Sequence, residues 1–549
     1  MGAHRLSRAA GPRRGPRPVI ADPVREGLAR GWRVVDGARL DRDRDLECDV
    51  AVIGSGAGGA ITAESLAAAG LLVAIVEEGP LASSSEFHMR EGEAYGRLYQ
   101  DGGTRKTADG AISILQGRCV GGSTTVNWTS SFRAPAQTLA YWRGVLGLAT
   151  MDEGELAPWY ERIETRLSIA PWALAPNENN DALRRGCEAL GLRWGVIARN
   201  VRGCWNLGYC GMGCPTNAKQ SMLVTAVPGA LERGAILVHR ARVERLRIAG
   251  GRVSACEASG IEASGAAPGP YRIRVRARHY VLAAGAIGSP AILLRSRAPD
   301  PYRVTGRRTF LHPTVASIAT MPAPVRAWSG APQSVYCDHF LPSDVAGPAG
   351  FKIESAPVHP VLAAITLPGF GEEHAHAMAQ LPARQALIAL IRDGFHPESP
   401  GGRVVLREDG SAALEYPMTP YLWEAARRAW LAMARVQLAA GAREVLAVHE
   451  EARGAASWEA ARREIEGLPL RPLAARVMSA HVMGGCAMGA DPRVCVVDEA
   501  GRSHHLANLS VHDASIFPTS LGANPQLTIY ALAARMSAGL ARALHAPLR

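Results

Sequence analysis

The stretch Cys48-Asp-Val-Ala-Val-Ile-Gly54-Ser-Gly56-Ala-Gly-Gly59 runs from a short apolar segment into a glycine-rich turn. The alanine-rich segment that follows, up to Ala69, has the composition of a helix, and residues 71–76 are typical of a second buried strand. A strand, a turn, a helix and a second strand within about 30 residues form a βαβ unit. The sequence therefore predicts an α/β protein, α+β overall, built around a Rossmann-type dinucleotide-binding domain.

The glycine turn fits the pattern G-x-G-x-x-G, and each glycine has its own task. Gly54 permits the tight turn, Gly56 lets the backbone approach a pyrophosphate beside Ala57, and Gly59 lets helix and strand pack closely. Glu77 ends the second strand 23 residues after Gly54, where a carboxylate can hydrogen-bond a ribose hydroxyl. The alternative is a turn that serves packing only.

A second glycine-rich stretch, residues 117–128, is too rich in small residues for a helix and too polar for a core strand. Its backbone is free to contact a planar, phosphorylated ligand. This stretch resembles the glucose-methanol-choline (GMC) oxidoreductase family, whose members have a glycine-serine segment against the flavin and its pyrophosphate. Residues 283–290, 511–518 and 522–528 are similar to further motifs of that family, in the same order. The resemblance spans residues 50 to 530 and implies FAD as the cofactor.

The resemblance also implies which residues hold the FAD. Asp513 is expected near the ribityl and pyrophosphate groups, Asn524 and Pro525 at the N1–C2=O edge of the flavin, and the backbone of Val243 at the adenine. The remaining implied contacts are Gly117, Gly121, Gly122, Ser123, Asn127, Ala284, Gly285 and Ala514.

A catalytic pair is implied at His481 and Asn524. A single histidine is more often structural than catalytic, but His481 precedes a glycine pair that can bring the backbone close to a cofactor. In the family these two positions lie over the reactive face of the flavin, and the His/Asn combination is similar to the cholesterol oxidase branch. The implied chemistry is proton abstraction by His481 and hydride transfer to flavin N5. Asn524 orients the hydroxyl and takes up no proton.

The segments 126–133 and 481–486 resemble the long-chain alcohol oxidase or dehydrogenase branch. The predicted reaction is therefore FAD-dependent oxidation of a primary or secondary alcohol, long-chain and aliphatic, to an aldehyde or ketone. Two alternatives stay open. One is a non-redox flavoprotein of the family, a lyase or a decarboxylase, and the other is a flavin-binding electron-transfer scaffold without substrate chemistry of its own.

Cys204, Cys210 and Cys214 stand close together among glycines, a spacing that suits thiolates converging on one centre. This trio resembles the [3Fe-4S] site of FAD glucose dehydrogenases in the family. A cluster would imply a dehydrogenase that feeds a quinone or cytochrome through a small partner subunit. The alternatives are three packed thiols, or one disulfide and a free thiol.

The motifs divide the chain into interleaved domains. Residues 46–134, 215–314 and 476–549 are predicted to form a discontinuous FAD-binding domain. Residues 135–214 and 315–475 are predicted to form the substrate-binding domain and the cysteine-bearing insert, with an antiparallel sheet covered by helices.

The charge of +11 is concentrated near the N-terminus, where residues 1–45 contain 11 arginines and 6 acidic residues and so contribute 11 − 6 = +5. They are interpreted as a solvated basic arm; no aromatic interleaving points to nucleic acid. No apolar run reaches 18 residues, so no spanning helix is expected. Arg13-Arg14 is followed by Gly15-Pro-Arg-Pro18 where a signal peptide would be apolar. The prediction is a cytoplasmic protein, unless a signal-bearing partner exports it to the periplasm.

Overall fold

A computed structural model describes residues 20–263, 265, 267–342 and 344–545. Within these ranges the α-helices are α1 (Pro23–Ala29), α2 (Ala57–Ala68), α3 (Glu91–Leu98), α4 (Ala136–Gly144), α5 (Glu153–Arg166), α6 (Glu178–Ala189), α7 (Ala226–Leu231), α8 (Gly285–Arg295), α9 (Pro360–Thr366), α10 (Gly371–Ala379), α11 (Pro420–Ala439), α12 (Trp458–Gly467) and α13 (Gln526–His545). No helix in the described part of the chain is long and apolar enough to cross a membrane.

The strands of the first half are β1 (Arg33–Asp36), β2 (Arg44–Ile53), β3 (Val73–Val76), β4 (Ile112–Ile114), β5 (Ile169–Pro171), β6 (Trp194–Val196), β7 (Ala198–Asn200), β8 (Ile236–His239), β9 (Ala241–Ala249), β10 (Arg252–Ile261) and β11 (Pro268–Leu282). Those of the second half are β12 (Arg307–Leu311), β13 (Thr314–Thr320), β14 (Val335–Cys337), β15 (Phe351–Ser355), β16 (Arg384–Ile391), β17 (Gly402–Leu406), β18 (Ala412–Glu415), β19 (Glu444–Ala447), β20 (Val477–Ser479), β21 (Val482–Gly484) and β22 (Leu509–Val511).

The first sheet has the order β1-β8-β3-β2-β11-β10-β9, with β22 paired to β11. Strands β1, β8, β3, β2, β11 and β22 run parallel, and β10 and β9 continue the sheet antiparallel. All of β3 and the last four residues of β2 are buried, as expected for parallel strands covered on both faces. Helix α2 packs against α7 and α13. The sheet is the predicted Rossmann-type domain.

The second sheet has the order β4-β20-β13-β16-β15-β14-β6, with β19 paired to β13, and is mostly antiparallel. Helices α6 and α11 pack against it through buried apolar faces. A smaller antiparallel sheet, β18-β17-β12-β21, lies beside these elements. An antiparallel sheet covered by helices is the architecture predicted for the second domain.

Three segments differ from the sequence-based division. Residues 1–19 of the predicted basic arm lie outside the described residues, but residues 20–45 hold α1 and β1, and β1 pairs with β8 at the edge of the first sheet. A solvated arm is therefore wrong for residues 33–36. Strands β4 and β20 fall in segments assigned to the FAD-binding domain, yet they pair within the second sheet. The composition of a three-residue strand does not show which sheet it joins, because either sheet can supply the hydrogen bonds that its backbone needs.

Candidate active site

A cavity of about 730 Å³ opens at the carboxyl ends of the parallel strands. Ile53, Val76, Ala283 and Asp513, which end or follow β2, β3, β11 and β22, all line it. In parallel α/β sheets this edge is where ligands bind, because strand ends and helix N-termini meet there. Its volume is within the range of small-molecule and cofactor sites.

The glycine turn at residues 54–59 packs closely against the motifs at residues 283–290 and 511–518. Gly54 has a φ of +103°, and a Cβ there would lie 2.2 Å from the carbonyl oxygen of Ala283. A Cβ on Gly58 would lie only 1.5 Å from the carbonyl oxygen of His512. The motifs at residues 54–59, 283–290 and 511–518 therefore meet around the N-terminus of α2, which faces the cavity through Gly56 and Ala57.

Most residues predicted to hold FAD line this one cavity. They are Gly54, Gly56, Ala57, Glu77, Gly117, Gly122, Ser123, Asn127, Val243, Ala284, Gly285, Asp513, Ala514, Asn524 and Pro525. Gly59 and Gly121 lie behind its wall. Gly59 packs against the carbonyl of Gly54, and Gly121 N–H donates to Ser55 Oγ at 3.0 Å.

Asp513 connects two of the motifs. Its Oδ2 accepts hydrogen bonds from Gly285 N at 2.9 Å and from Ser289 Oγ at 2.5 Å, and its Oδ1 accepts one from Ser515 N at 2.8 Å. Burial raises the pKa of Asp513. The carboxylate thus fixes the start of α8 against residues 513–515, where both segments line the cavity.

His481 and Asn524, predicted as the catalytic pair, both lie in the cavity wall. Burial, together with the ammonium of Lys352, lowers the pKa of His481 to about 3. The imidazole is therefore neutral at physiological pH. A neutral ring has one donor and one acceptor nitrogen, so its hydrogen-bond partners decide its role.

The partner of His481 is His312, at the end of β12, which sequence reasoning missed. Gly522 N–H donates to His312 Nε2 at 2.9 Å, and burial lowers the pKa of His312 well below its usual value. The neutral His312 ring therefore carries its proton on Nδ1. This nitrogen lies 3.0 Å from His481 Nδ1, so His312 donates and His481 accepts. The proton of His481 is then on Nε2. No sequence signal pairs two histidines 169 positions apart.

A buried charge pair, also missed in the sequence, contacts Asn524. Lys352 Nζ lies 3.1 Å from Glu354 Oε1 and donates to Asn524 Oδ1 at 3.3 Å. Asn524 Nδ2 donates to Glu354 Oε2 at 3.2 Å. Burial lowers the pKa of Lys352 to about 8, and the Glu354 carboxylate opposes this shift. Both ends of the Asn524 amide are thus occupied by opposite charges.

Two family models, both described as GMC oxidoreductase, match residues 95–314 and 397–533. An uncharacterised GMC-type oxidoreductase of Sinorhizobium fredii is 32% identical over 510 residues, which are 91% of this chain and 96% of that protein. The chain belongs to the GMC oxidoreductase family.

Two other similar proteins are more distant in sequence. The long-chain-alcohol oxidase FAO4A of Arabidopsis thaliana is 27% identical over 505 residues, covering 89% of this chain and 68% of that protein. The crystal structure of pyridoxine 4-oxidase from Mesorbium loti superimposes with a TM-score of 0.66 at 20% identity, over 90% of this chain and 99% of that one. The predicted family and fold are confirmed.

In this GMC oxidoreductase two neighbouring carboxylates, Glu77 and Glu78, line the cavity after β3, where the sequence predicted only Glu77 as a ribose contact. Glu77 Oε2 accepts from Ser55 N at 3.0 Å and from Ser55 Oγ at 2.6 Å, and its Oε1 accepts from Gly79 N at 2.8 Å. Burial raises the pKa of Glu77. The next residue, Glu78, also lines the cavity and pairs with Arg118 Nε at 2.8 Å. Glu77 thus supports the glycine turn, and Glu78 is a second candidate that sequence reasoning missed.

Two further predicted contacts, Asn127 and Val243, also have protein partners. Asn127 Nδ2 donates to Gln526 Oε1 at 2.7 Å, and the carbonyl of Val243 accepts from Arg295 Nη2 at 3.2 Å. The first bond fixes Asn127 to the start of α13. The second occupies the carbonyl of Val243, so a ligand in the cavity would contact other atoms of Val243.

The cysteine trio does not form a common centre. Cys204, Cys210 and Cys214 are free, half-buried thiols. Cys204 Sγ accepts from Asn206 N at 3.4 Å, Cys210 Sγ from Arg199 Nη2 at 3.6 Å, and Cys214 Sγ lies 3.4 Å from Thr216 Oγ1.

Among the residues that the structure describes, no three His, Cys, Asp or Glu side chains are arranged to hold a metal ion. The described residues therefore contain no ligand set that fits the predicted iron-sulfur cluster. The small partner subunit and the quinone or cytochrome acceptor were inferred from that cluster, so they lose their support with it.

Proposed function

We propose that this GMC oxidoreductase binds FAD and oxidises a primary or secondary alcohol, with a long aliphatic chain, to the aldehyde or ketone. The observation that carries the proposal is that His481 and Asn524 line the same cavity as the glycine turn and the ends of the parallel strands. The relatives named long-chain-alcohol oxidases support the substrate class. A scaffold without substrate chemistry gives no reason for a neutral imidazole and an oriented amide in one cavity wall, and the relatives named alcohol oxidases favour oxidation over a lyase or decarboxylase reaction.

The residues present fit FAD. A Cβ on Gly122 would lie 2.8 Å from Gly56 Cα, so glycine at these two positions lets the two glycine-rich segments pack backbone to backbone, and both glycines line the cavity. The N–H groups at the start of α2 favour a pyrophosphate there. Glu77 or Glu78 would hold a ribose, and residues 524–525 would face the flavin. FAD, when bound, supplies the hydride acceptor.

His481 would hold and move the proton of the substrate hydroxyl. In the resting hydrogen-bond pattern its proton is on Nε2, so this nitrogen is a donor. Accepting the hydroxyl proton at Nε2 requires the other tautomer, in which His481 carries its proton on Nδ1. His312 must then carry its proton on Nε2, which breaks the hydrogen bond from Gly522 N–H. Before the abstraction step, therefore, the Nδ1 proton of His312 must pass to His481 Nδ1, the Nε2 proton of His481 must leave to water, and His312 must take one proton from water at Nε2, so that both rings stay neutral.

Asn524 would orient the hydroxyl. One hydrogen of Nδ2 is donated to Glu354, and the second, which has no partner among the described residues, would face the substrate oxygen. Such a donor stabilises the negative charge that develops on the oxygen as its proton leaves.

The direct test is anaerobic addition of decanol to the FAD-loaded protein. The visible absorbance of the oxidised flavin is expected to bleach, because hydride transfer reduces the flavin. A tertiary alcohol of the same length, which lacks a carbinol hydrogen, is the control and should leave the absorbance unchanged. If no primary or secondary alcohol bleaches a flavin that dithionite reduces, the proposal fails.

The pH dependence of this reaction tests the state of His481. Its neutral form exists above its pKa and is lost as the pH falls through it, and that pKa is lowered to about 3. An ordinary histidine would lose this form near pH 6.5. We expect the rate constant of flavin reduction to show no acid limb between pH 8 and about pH 4.5. An acid limb near pH 6.5 that is absent in His481→Gln would contradict the lowered pKa.

A further inference from the structure

The Lys352–Glu354 pair is buried behind the catalytic wall. Lys352 is 2% exposed and Glu354 is fully buried, and neither is among the described residues that line the cavity. Alternate residues of a strand share one face, so both side chains leave β15 on the side of Asn524. Burying two charges costs desolvation free energy, which their mutual attraction offsets only in part. Stability alone is therefore a poor reason for this pair.

The pair and the Asn524 amide form a closed ring of contacts. Nζ faces Oδ1, Nδ2 faces Oε2, and Oε1 faces Nζ, at 3.3, 3.2 and 3.1 Å. Turning the amide by 180° would place its NH₂ against the ammonium and its carbonyl against the carboxylate. Both contacts would be repulsive, so the charge pair selects one of two orientations that are nearly equal in shape.

Aromatic rings hold the ammonium in place. Lys352 Nζ lies 2.8 Å from the ring centroid of Phe132 and 4.8 Å from that of Tyr336. The negative face of an aromatic ring attracts a cation and restricts its position. Lys352 is thus fixed on the side of the amide oxygen.

We propose that the Lys352–Glu354 pair positions the Asn524 amide so that its free Nδ2–H faces the substrate oxygen. This inference deepens the proposed function and rests on it for the identity of that oxygen. Lys352 and Glu354 act through Asn524 and are positioning residues. A misoriented amide presents its carbonyl to the developing oxyanion, which removes one stabilising donor and adds repulsion.

The test replaces both charges at once, with Lys352→Met/Glu354→Met. Removing one partner leaves a buried charge unpaired, whereas replacing both with apolar residues is often tolerated. We expect the double variant to keep its FAD and to bind the tertiary alcohol within about threefold of wild type. We expect its flavin reduction rate to fall about 100-fold, the cost of one lost oxyanion donor. Gln437→Leu, which removes buried hydrogen bonds to Ser317 in the same domain, is the control and should leave that rate unchanged.

A readout independent of the reaction is a thermal double-mutant cycle on the FAD-loaded protein, with Asn524→Leu as the third variant. In the wild-type background Asn524→Leu removes the hydrogen bonds of Asn524 to Lys352 and Glu354. In the Met/Met background these hydrogen bonds are already absent. We expect it to lower Tm clearly more in the first background than in the second, a non-additivity that contacting residues show. Additive Tm changes, or wild-type flavin reduction by the double variant, would overturn the inference. If wild type itself is not reduced by any alcohol, the proposed function fails while the cycle still decides the positioning.

Discussion

Replacing His481 with alanine is expected to lower the rate constant of flavin reduction by an alcohol about 10²- to 10⁴-fold, the usual contribution of a positioned proton acceptor or donor. The FAD should stay bound, because the glycine turn, Asp513 and residues 117–123 do not depend on this side chain. Anaerobic stopped-flow absorbance gives the rate, and the ratio of flavin to protein absorbance gives the occupancy. Unchanged reduction would remove His481 from the mechanism.

The variant His481→Gln distinguishes two possible roles of the His481 ring, proton acceptor and hydrogen-bond donor. Glutamine keeps an N–H donor but is no base at neutral pH. If His481 accepts the hydroxyl proton, His481→Gln should be as slow as His481→Ala. A rate within about tenfold of wild type would show a donor role only, and the abstraction step would have to be withdrawn. His449→Gln, a buried histidine whose ring meets the carbonyl of Pro469 in the second domain, is the matched control.

Gly58→Ala is expected to abolish FAD retention through purification. Its Cβ would lie 1.5 Å from the carbonyl oxygen of His512, and backbone cannot yield as the end of a side chain can. Either α2 or the segment 511–518 must move by an ångström or more, and both line the cofactor cavity. Displacements of that size cost about 100-fold in functions that need a fixed geometry.

The control for that variant is Gly92→Ala. Gly92 is exposed in α3, and nothing lies within 4 Å of the Cβ it would gain. Alanine there should keep full FAD content and raise Tm slightly, because alanine is the better helix former. Full FAD occupancy and an unchanged Tm in Gly58→Ala would contradict the arrangement of the glycine turn.

Local sequence was enough to predict the Rossmann-type domain of this protein. The βαβ unit at residues 48–76 needs only the alternation of apolar runs, a glycine turn and an alanine-rich helix, and these are contiguous. The segments at 117–128, 283–290, 511–518 and 522–528 could be placed because each resembles a contiguous motif of the GMC family. The family, confirmed by the comparisons, follows from the same segments.

The chemistry-bearing contacts were decided by the tertiary structure. His312 meets His481 across 169 positions, and Lys352 meets Asn524 across 172. The first contact joins the residue after β12 to the segment between β20 and β21, and the second joins β15 to the loop before α13; no periodicity or spacing encodes either. Tertiary contacts also decide the surroundings of the three cysteines. Their spacing predicts one common centre, whereas in the structure each thiol contacts a different residue. The sequence identified segments that line the cavity, because their motifs are contiguous, and the tertiary structure decided the hydrogen-bond partners of His481 and Asn524, because these lie far apart in the chain.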